Sequence, residues 1–169
     1  MSLLGQQVQS GRYSVVPRCL SFLLHQEKVL LIRIAEDRGT WSGLLNGVGG
    51  HIERAEDPRS AALREIKEET GLILSPSSLY LCGVVTVDVG TSPGVGLYIF
   101  VGETETSETH SSCEGTPEWI DLDDLEKQTL VKDLPALLPQ AIKSYHNKQP
   151  FCAVTTFDKN GSPSIHFYP

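Results

Sequence analysis

The stretch that most constrains this chain runs from Gly50 to Leu72, GHIERAEDPRSAALREIKEETGL, in which glycines, carboxylates and one arginine stand at fixed intervals. Five residues separate Gly50 from Glu56, and seven separate Glu56 from Arg64-Glu65-Ile66. Single residues then lead to Glu68-Glu69 and to Gly71-Leu72. Local chemistry predicts how the stretch folds. Asp57 supplies an N-cap side chain, and Pro58, with its fixed φ and missing N–H, suits the first helical position. Gly71 is suited to the left-handed conformation that closes a helix, so the helix ends near Thr70. The chain must therefore accommodate a loop feeding a helix of roughly four turns.

At roughly 100° per residue, Glu65, Glu68 and Glu69 fall on one narrow arc, and Ala62, Leu63, Ile66 and Thr70 lie on the arc beside it. One stripe packs and the other is free to bind. Like charges at i,i+3 and i,i+4 cost an isolated helix about 0.2–0.5 kcal/mol per pair, and Lys67 points away from them. A cation among the glutamates offsets that cost. Crowded hard oxygens suit Mg²⁺ or Mn²⁺, and Mg²⁺ joins carboxylates to substrate phosphates. A merely solvated helix face explains three glutamates, but not the capping signals and glycines that accompany them at these spacings.

The pattern fills every fixed position of the Nudix box, and the chain resembles a Nudix hydrolase. The resemblance implies an α/β fold, an α/β/α sandwich with a mixed β-sheet, and hydrolysis of a diphosphate held by divalent ions. Carried over residue by residue, it makes Glu65, Glu68 and Glu69 the metal-binding carboxylates, with the Gly49 carbonyl as a further ligand. It gives Arg64 the task of orienting the catalytic glutamate; a surface ion pair with Glu68 is the alternative. Gly50, Glu56 and Gly71 are fixed motif positions. Family members differ in the base that activates water, and Glu65 is the first candidate here.

Two flanking segments extend the resemblance. Glu114-Gly-Thr-Pro-Glu-Trp119 is similar to the E-x-x-P-x-W run of MutT-type members, whose glutamate reaches the metal site. Glu114 matches that glutamate, and Trp119 is either core or base-stacking. Leu45-Asn46-Gly47-Val48-Gly49-Gly50 resembles the W-N-G-F-G-G run of oxidised purine nucleoside triphosphatases, with Leu45 and Val48 replacing the two aromatics. Asn46 becomes a purine-reading candidate by its donor and acceptor atoms, or else a turn residue before glycine. Asp133 lies near the position of base-contacting acids in that subgroup. Arg33 could steady a phosphate, and His51 stands where many members carry lysine; surface roles are the alternative for both.

Marks of other subgroups are absent. Val87 and Asp88 stand where many ADP-ribose hydrolases have proline, and Val89 and Gly90 where many dinucleoside polyphosphate hydrolases have tyrosine. A MutT-type pyrophosphohydrolase, giving nucleoside monophosphate and pyrophosphate from an oxidised purine nucleotide, is the leading expectation. Hydrolysis of ADP-ribose, nucleotide sugars or dinucleoside polyphosphates is the alternative, as is a non-catalytic nucleotide sensor, though sensors usually carry a damaged box.

Bulk properties agree with a small anionic substrate. The 169 residues fit one domain spanning 1–169, with 40% hydrophobic content and no apolar run near the length of a membrane span. A net charge of −7 argues against a nucleic acid polymer as partner. Met1 to Val16 lacks the basic and apolar regions of a secretory signal, and Met1-Ser2-Leu3 could be a cloning remnant. A cytoplasmic protein, monomer or homodimer, is expected. Cys19, Cys82, Cys113 and Cys152 show no metal spacing and should be free thiols.

The remainder reads as scaffold. Tyr13–Leu24 and Lys28–Ile34 form paired strands about His25-Gln26-Glu27, and Ser78–Val89 and Val95–Val101 form a second pair. Thr104–Ser112 reads as a mobile polar loop. Leu134–Tyr145 reads as a second helix that Pro139 disturbs, and Phe151–Phe157 with Ser164–Tyr168 as a hairpin turning at Asn160-Gly161.

Overall fold

The computed structural model describes residues 11–168, so the reading of Met1-Ser2-Leu3 as a cloning remnant and most of the Met1–Val16 stretch read for a secretory signal lie outside it. Strands β1 (Val15–His25) and β2 (Lys28–Ile34) are joined by a tight turn in which Gln26 takes a positive φ. A two-residue strand β3 (Leu45–Asn46) precedes helix α1 (Pro58–Thr70). Then follow β4 (Leu79–Val87), β5 (Gly94–Glu103), β6 (Gly115–Asp121), helix α2 (Leu134–Asn147), β7 (Phe151–Phe157) and β8 (Pro163–Tyr168). Short 3-10 segments fill the connections at Gly39–Trp41, Pro76–Ser78 and Leu122–Lys127.

All eight strands join one mixed sheet. The main path runs β3-β2-β1-β5-β4-β7-β8, and β6 pairs along the other edge of β2. β1 lies parallel to β5 and β4 parallel to β7, while β1/β2, β2/β6, β4/β5 and β7/β8 are antiparallel. Only the first part of β2 pairs with β1, from His25↔Lys28 to Leu23↔Leu30, and its far end pairs with β3 instead. That divergence leaves the flank of β1 open for residues 48–52, which run antiparallel along it.

Strand β1 shows how alternation divides the molecule into layers. Leu20, Phe22 and Leu24 face α2 and pack with Leu45, Val85, Ile99, Leu134, Leu137, Leu138 and Ala141. Cys19 and Leu23 face α1, meeting Ala61, Ala62, Ile66, Leu79 and Phe100. The sheet is thus sandwiched between the helices, as the resemblance implied. Among the described residues no helix is long and apolar enough to cross a membrane, and the four cysteines are free.

Sequence reading found the two long helices and the three hairpins but missed β3 and β6. β3 has only two residues, and β6 contains Pro117 and polar positions that break the alternation of a strand. Its seven pairings with β2, from Lys28↔Asp121 to Ile34↔Gly115, are wholly non-local. α2 continues through Pro139 to Asn147. Pro139 lies on its exposed side, where the carbonyl it leaves unpaired can meet water.

The segment expected to be a mobile loop is anchored at several points. Thr104 N–H donates to Leu24 O at 3.0 Å, His110 N–H to Thr70 O at 3.1 Å, and the Trp119 indole N–H to Ser107 O at 2.9 Å. Helix α1 begins as its sequence dictates. Asp57 Oδ1 accepts from Arg59 N–H at 2.9 Å and Ser60 N–H at 3.1 Å, and Gly71 closes the helix at φ 77°.

Asp57→Ala should therefore lower the unfolding free energy by about 1 kcal/mol, shifting the urea midpoint without changing the slope of the transition. Gly71→Ala should cost more. It combines an unfavourable positive φ with a methyl group driven into the His110 ring.

Candidate active site

Two glycines let the box loop lie flat against β1. Val48 and Ser21 exchange both backbone hydrogen bonds, at 3.1 and 2.7 Å, and Cys19 N–H donates to Gly50 O at 2.9 Å. A Cβ on Gly49 would collide with the Cys19 carbonyl oxygen, and one on Gly50 would collide with the Glu65 carboxylate. The second glycine thus leaves the space that Glu65 occupies.

Arg64 ties this loop to the helix. Its guanidinium grips Glu56 through both nitrogens of one edge, Nε to Oε1 and Nη2 to Oε2, each at 2.9 Å. Nη2 also donates to the His51 carbonyl at 3.0 Å, and Nη1 to Glu65 Oε1 at 2.8 Å and Glu68 Oε2 at 3.2 Å. Glu56 accepts a further bond from Glu53 N–H at 2.9 Å. The Arg64 bonds, followed by that from Glu53, hold the Glu56 pKa below the ordinary carboxylate value. The Arg64–Glu68 contact, weighed as the alternative to an orienting role, exists as one of several.

Glu69 stands apart from that network. It is only 4% exposed, and its Oε2 accepts from Gly49 N–H at 3.2 Å. Burial, then repulsion from Glu65, Glu114 and Glu68, pushes its pKa up to about 8, against the lowering effect of the Gly49 amide. Three further carboxylates therefore lie within electrostatic reach of a buried one. Glu114 is half exposed just before β6, 3.6 Å from Arg38.

As they stand, no three acidic, histidine or cysteine side chains among the described residues close on a single metal position. Glu65 and Glu68 are instead turned onto Arg64. The donor set still has the chemistry of a hard-cation site. A desolvated carboxylate with one neutral donor, crowded by like charges, gains from a nearby divalent cation.

The remaining candidates divide between two faces of the sheet. Arg33 Nε and Nη2 bind Glu118 at 2.6 and 2.8 Å and Nη1 binds the Gly43 carbonyl at 3.0 Å. It clasps β6 and the β2–β3 loop, a surface ion pair of the kind weighed as the alternative to a phosphate ligand. Trp119 lies opposite Leu30 and packs in the α1-side cluster. Its indole secures the 104–112 loop, which makes it a packing residue rather than a base-stacking one.

Asn46 Oδ1 accepts from Gly47 N–H at 2.9 Å, which takes up one acceptor position. His51 is exposed at the end of the loop. Asp133 immediately precedes α2, makes no side-chain cap bond, and has its pKa raised by burial. Sequence reading overlooked Arg18 and Arg38, which belong to no motif and become visible only when β1 and the loops are placed.

The NUDIX domain family model matches residues 16–141. The chain is 29% identical over 134 residues to the oxidized purine nucleoside triphosphate hydrolase of Mus musculus, covering 79% of this chain and 81% of that protein. With the protein of the same name from Danio rerio it shares 32% identity over 87 residues, 51% of this chain and about half, 54%, of that protein's length. A solved MutT protein from Bacillus halodurans superposes with a TM-score of 0.71 at 20% identity, over 92% of this chain and 99% of that one. The NUDIX domain of Shewanella oneidensis NrtR, solved with ADP ribose, gives 0.63 at 18% identity, over 79% and 89%. These structural likenesses speak for the fold alone.

The Glu69 pKa has a measurable consequence. Between the ordinary value of 4.5 and about 8, the folded protein keeps a proton that the unfolded chain releases, so stability falls as pH rises through this window. Glu69→Gln removes that dependence. In chelator, thermal denaturation should show the variant gaining on the parent from pH 4.5 to pH 8.5; a constant difference would contradict the shifted carboxyl.

Proposed function

The chain belongs to the NUDIX family, and on that footing we propose that it hydrolyses phosphorus anhydrides in a nucleotide, with a purine nucleoside triphosphate as substrate and the monophosphate plus pyrophosphate as products. The observation that carries this reading is the buried, charge-crowded Glu69 beside an intact box, with Arg64 holding Glu56, Glu65 and Glu68. A sensor module needs no such arrangement. The names of the mouse and zebrafish relatives support the triphosphate and, more narrowly, an oxidised purine base.

Glu65, Glu68 and Glu69, with the Gly49 carbonyl and Glu114, are the groups proposed to hold Mg²⁺ or Mn²⁺. When bound, the cation neutralises charge on the diphosphate and makes water a better nucleophile. The protein's own groups do the rest. Glu65 takes the proton of the attacking water, and Arg64 fixes the direction from which it does so. Gly49 N–H and the apolar bed beneath α1 keep Glu69 in place. Asn46 and Asp133 are proposed to read the base, the first through its amide and the second through a carboxyl that burial makes easier to protonate.

The test is to incubate the parent and Glu69→Gln with Mg²⁺ and normal or oxidised nucleoside triphosphates, ADP-ribose and dinucleoside polyphosphates, and to separate the products. Triphosphates should yield monophosphate and pyrophosphate with the parent. In the variant kcat should fall by a hundredfold or more, roughly 3 kcal/mol of transition-state stabilisation, with KM little changed. Cleavage of ADP-ribose or a dinucleotide alone would overturn the substrate assignment. Inertness towards all of them would overturn the hydrolase assignment.

A further inference from the structure

Among the described residues, the outer edge of β8 is the open end of the sheet. β3 is closed on its far side by residues 129–131, with Leu45 N–H on Thr129 O at 2.9 Å and Val131 N–H on Leu45 O at 3.0 Å. β6 is flanked by the 104–112 segment, where Ser112 N–H donates to Gly115 O at 3.0 Å. β8 has β7 as its one strand neighbour, and among the described residues no backbone hydrogen bond reaches it from elsewhere. Natural edge strands are blunted by lysines, bulges or prolines. β8, Pro163-Ser164-Ile165-His166-Phe167-Tyr168, has no lysine, arginine or carboxylate and keeps its proline at the first position. Its register runs unbroken from Phe157↔Pro163 to Cys152↔Tyr168.

The two sides of that edge differ in chemistry. Ile165 and Phe167 turn toward α2 and pack at the margin of its core. Beside them lies a cleft of about 670 Å³ whose walls include Gln140, Lys143, Asn147, Lys148, Phe167 and Tyr168, and no carboxylate. Lys143 is exposed and makes no ion pair among the described residues. Lys148 Nζ lies over the rings of Tyr145 and Tyr80, 3.6 and 4.7 Å from their centroids, which leaves its charge unneutralised. From Leu134 to Tyr168 the chain carries three lysines and one carboxylate, that of Asp158, although the whole has a net charge of −7. Asp158 is spent on the amides of Asn160 and Ser162. The other side of the edge is apolar. There His166 and Tyr168 lie opposite Val154 and Cys152, and Val154 and Tyr168 are 37% and 48% exposed.

We propose that β8 is a docking edge for a partner protein, taking as a ninth strand an extended segment in which acidic and apolar side chains alternate. Successive side chains of a strand point to opposite faces. The acids of such a segment lie toward Lys143 and Lys148, and its apolar residues extend the row of Val154 and Tyr168. Main-chain hydrogen bonds to the free edge supply the pairing. A second copy of this chain is the poorer occupant. Antiparallel pairing of β8 with its own copy about a twofold axis sets both α2 helices on one side of the joined sheet, so that lysine approaches lysine.

The experiment titrates the full chain into three labelled peptides of about eight residues, followed by fluorescence anisotropy. One alternates glutamate and valine, one alternates lysine and valine, and one is the glutamate peptide with prolines in place of its central valines. The glutamate–valine peptide should bind, and hydrogen exchange of the β8 amides, residues 163–168, should then slow by roughly tenfold or more. Lys143→Glu, a change at an exposed side chain, should weaken that peptide by roughly five- to tenfold. The lysine and proline peptides should bind far more weakly. Absence of saturable binding up to about 1 mM overturns the proposal. Binding without slowed exchange in β8, or equal binding of the proline peptide, overturns the added strand. Equal affinity for the lysine peptide, or an unaltered affinity in Lys143→Glu, overturns the acidic partner. A parent that sediments as a dimer with its β8 amides already protected gives the edge to a second copy and overturns the proposal as well.

Discussion

The grip of Arg64 on Glu56 fixes the angle between two pieces of chain that otherwise meet through the packing of Val48 and Ile52 beneath α1 and the Gly49–Glu69 hydrogen bond. The box loop is held to β1 by backbone hydrogen bonds, and α1 is held to the sheet by Ala61, Ala62 and Ile66. Neither set of contacts fixes how the helix is rotated relative to the loop. The two-pronged ion pair does, because a planar fork meeting a carboxylate edge permits little rotation, and the bond to the His51 carbonyl adds a third fixed point. Replacing arginine with lysine would keep the charge and lose that geometry.

From this joint the arrangement of carboxylates follows. With the helix rotation set, Glu65 sits in the gap left by Gly50, Glu68 reaches solvent, and Glu69 is driven inward against the Gly49 amide. Burial sets Glu69 apart, because a carboxylate withdrawn from water and crowded by like charges holds a proton more tightly. One helix turn thereby presents identical side chains in unlike surroundings.

What could be read from the residues in order was what short-range chemistry decides. Asp57, Pro58 and Gly71 announce α1 because capping acts within a few residues, and the spacing of Glu65, Glu68 and Glu69 places them on one arc without tertiary information. β6 escaped because its partner positions on β2 lie far away in the chain, from Ile34↔Gly115 to Lys28↔Asp121, and Pro117 disguises it. The ion pair of Arg33 with Glu118 and the place of Trp119 opposite Leu30 were hidden for the same reason. Which face a strand residue occupies depends on register, and register with a distant strand is not written locally.

The ties on residues 104–112 change how the segment carrying Glu114 should be regarded. A free connection of that length would lose conformational entropy each time it closed over a ligand, at about 1–2 kcal/mol per residue ordered. Here Trp119, His110 and Thr104 impose that loss once, during folding. Glu114 therefore belongs to the rigid body of the protein rather than to a lid. Under the proposed role of Glu114, substrate would meet a wall whose shape is settled before it arrives, and selectivity on that side would come from fit to a standing surface, not from the energy of closure.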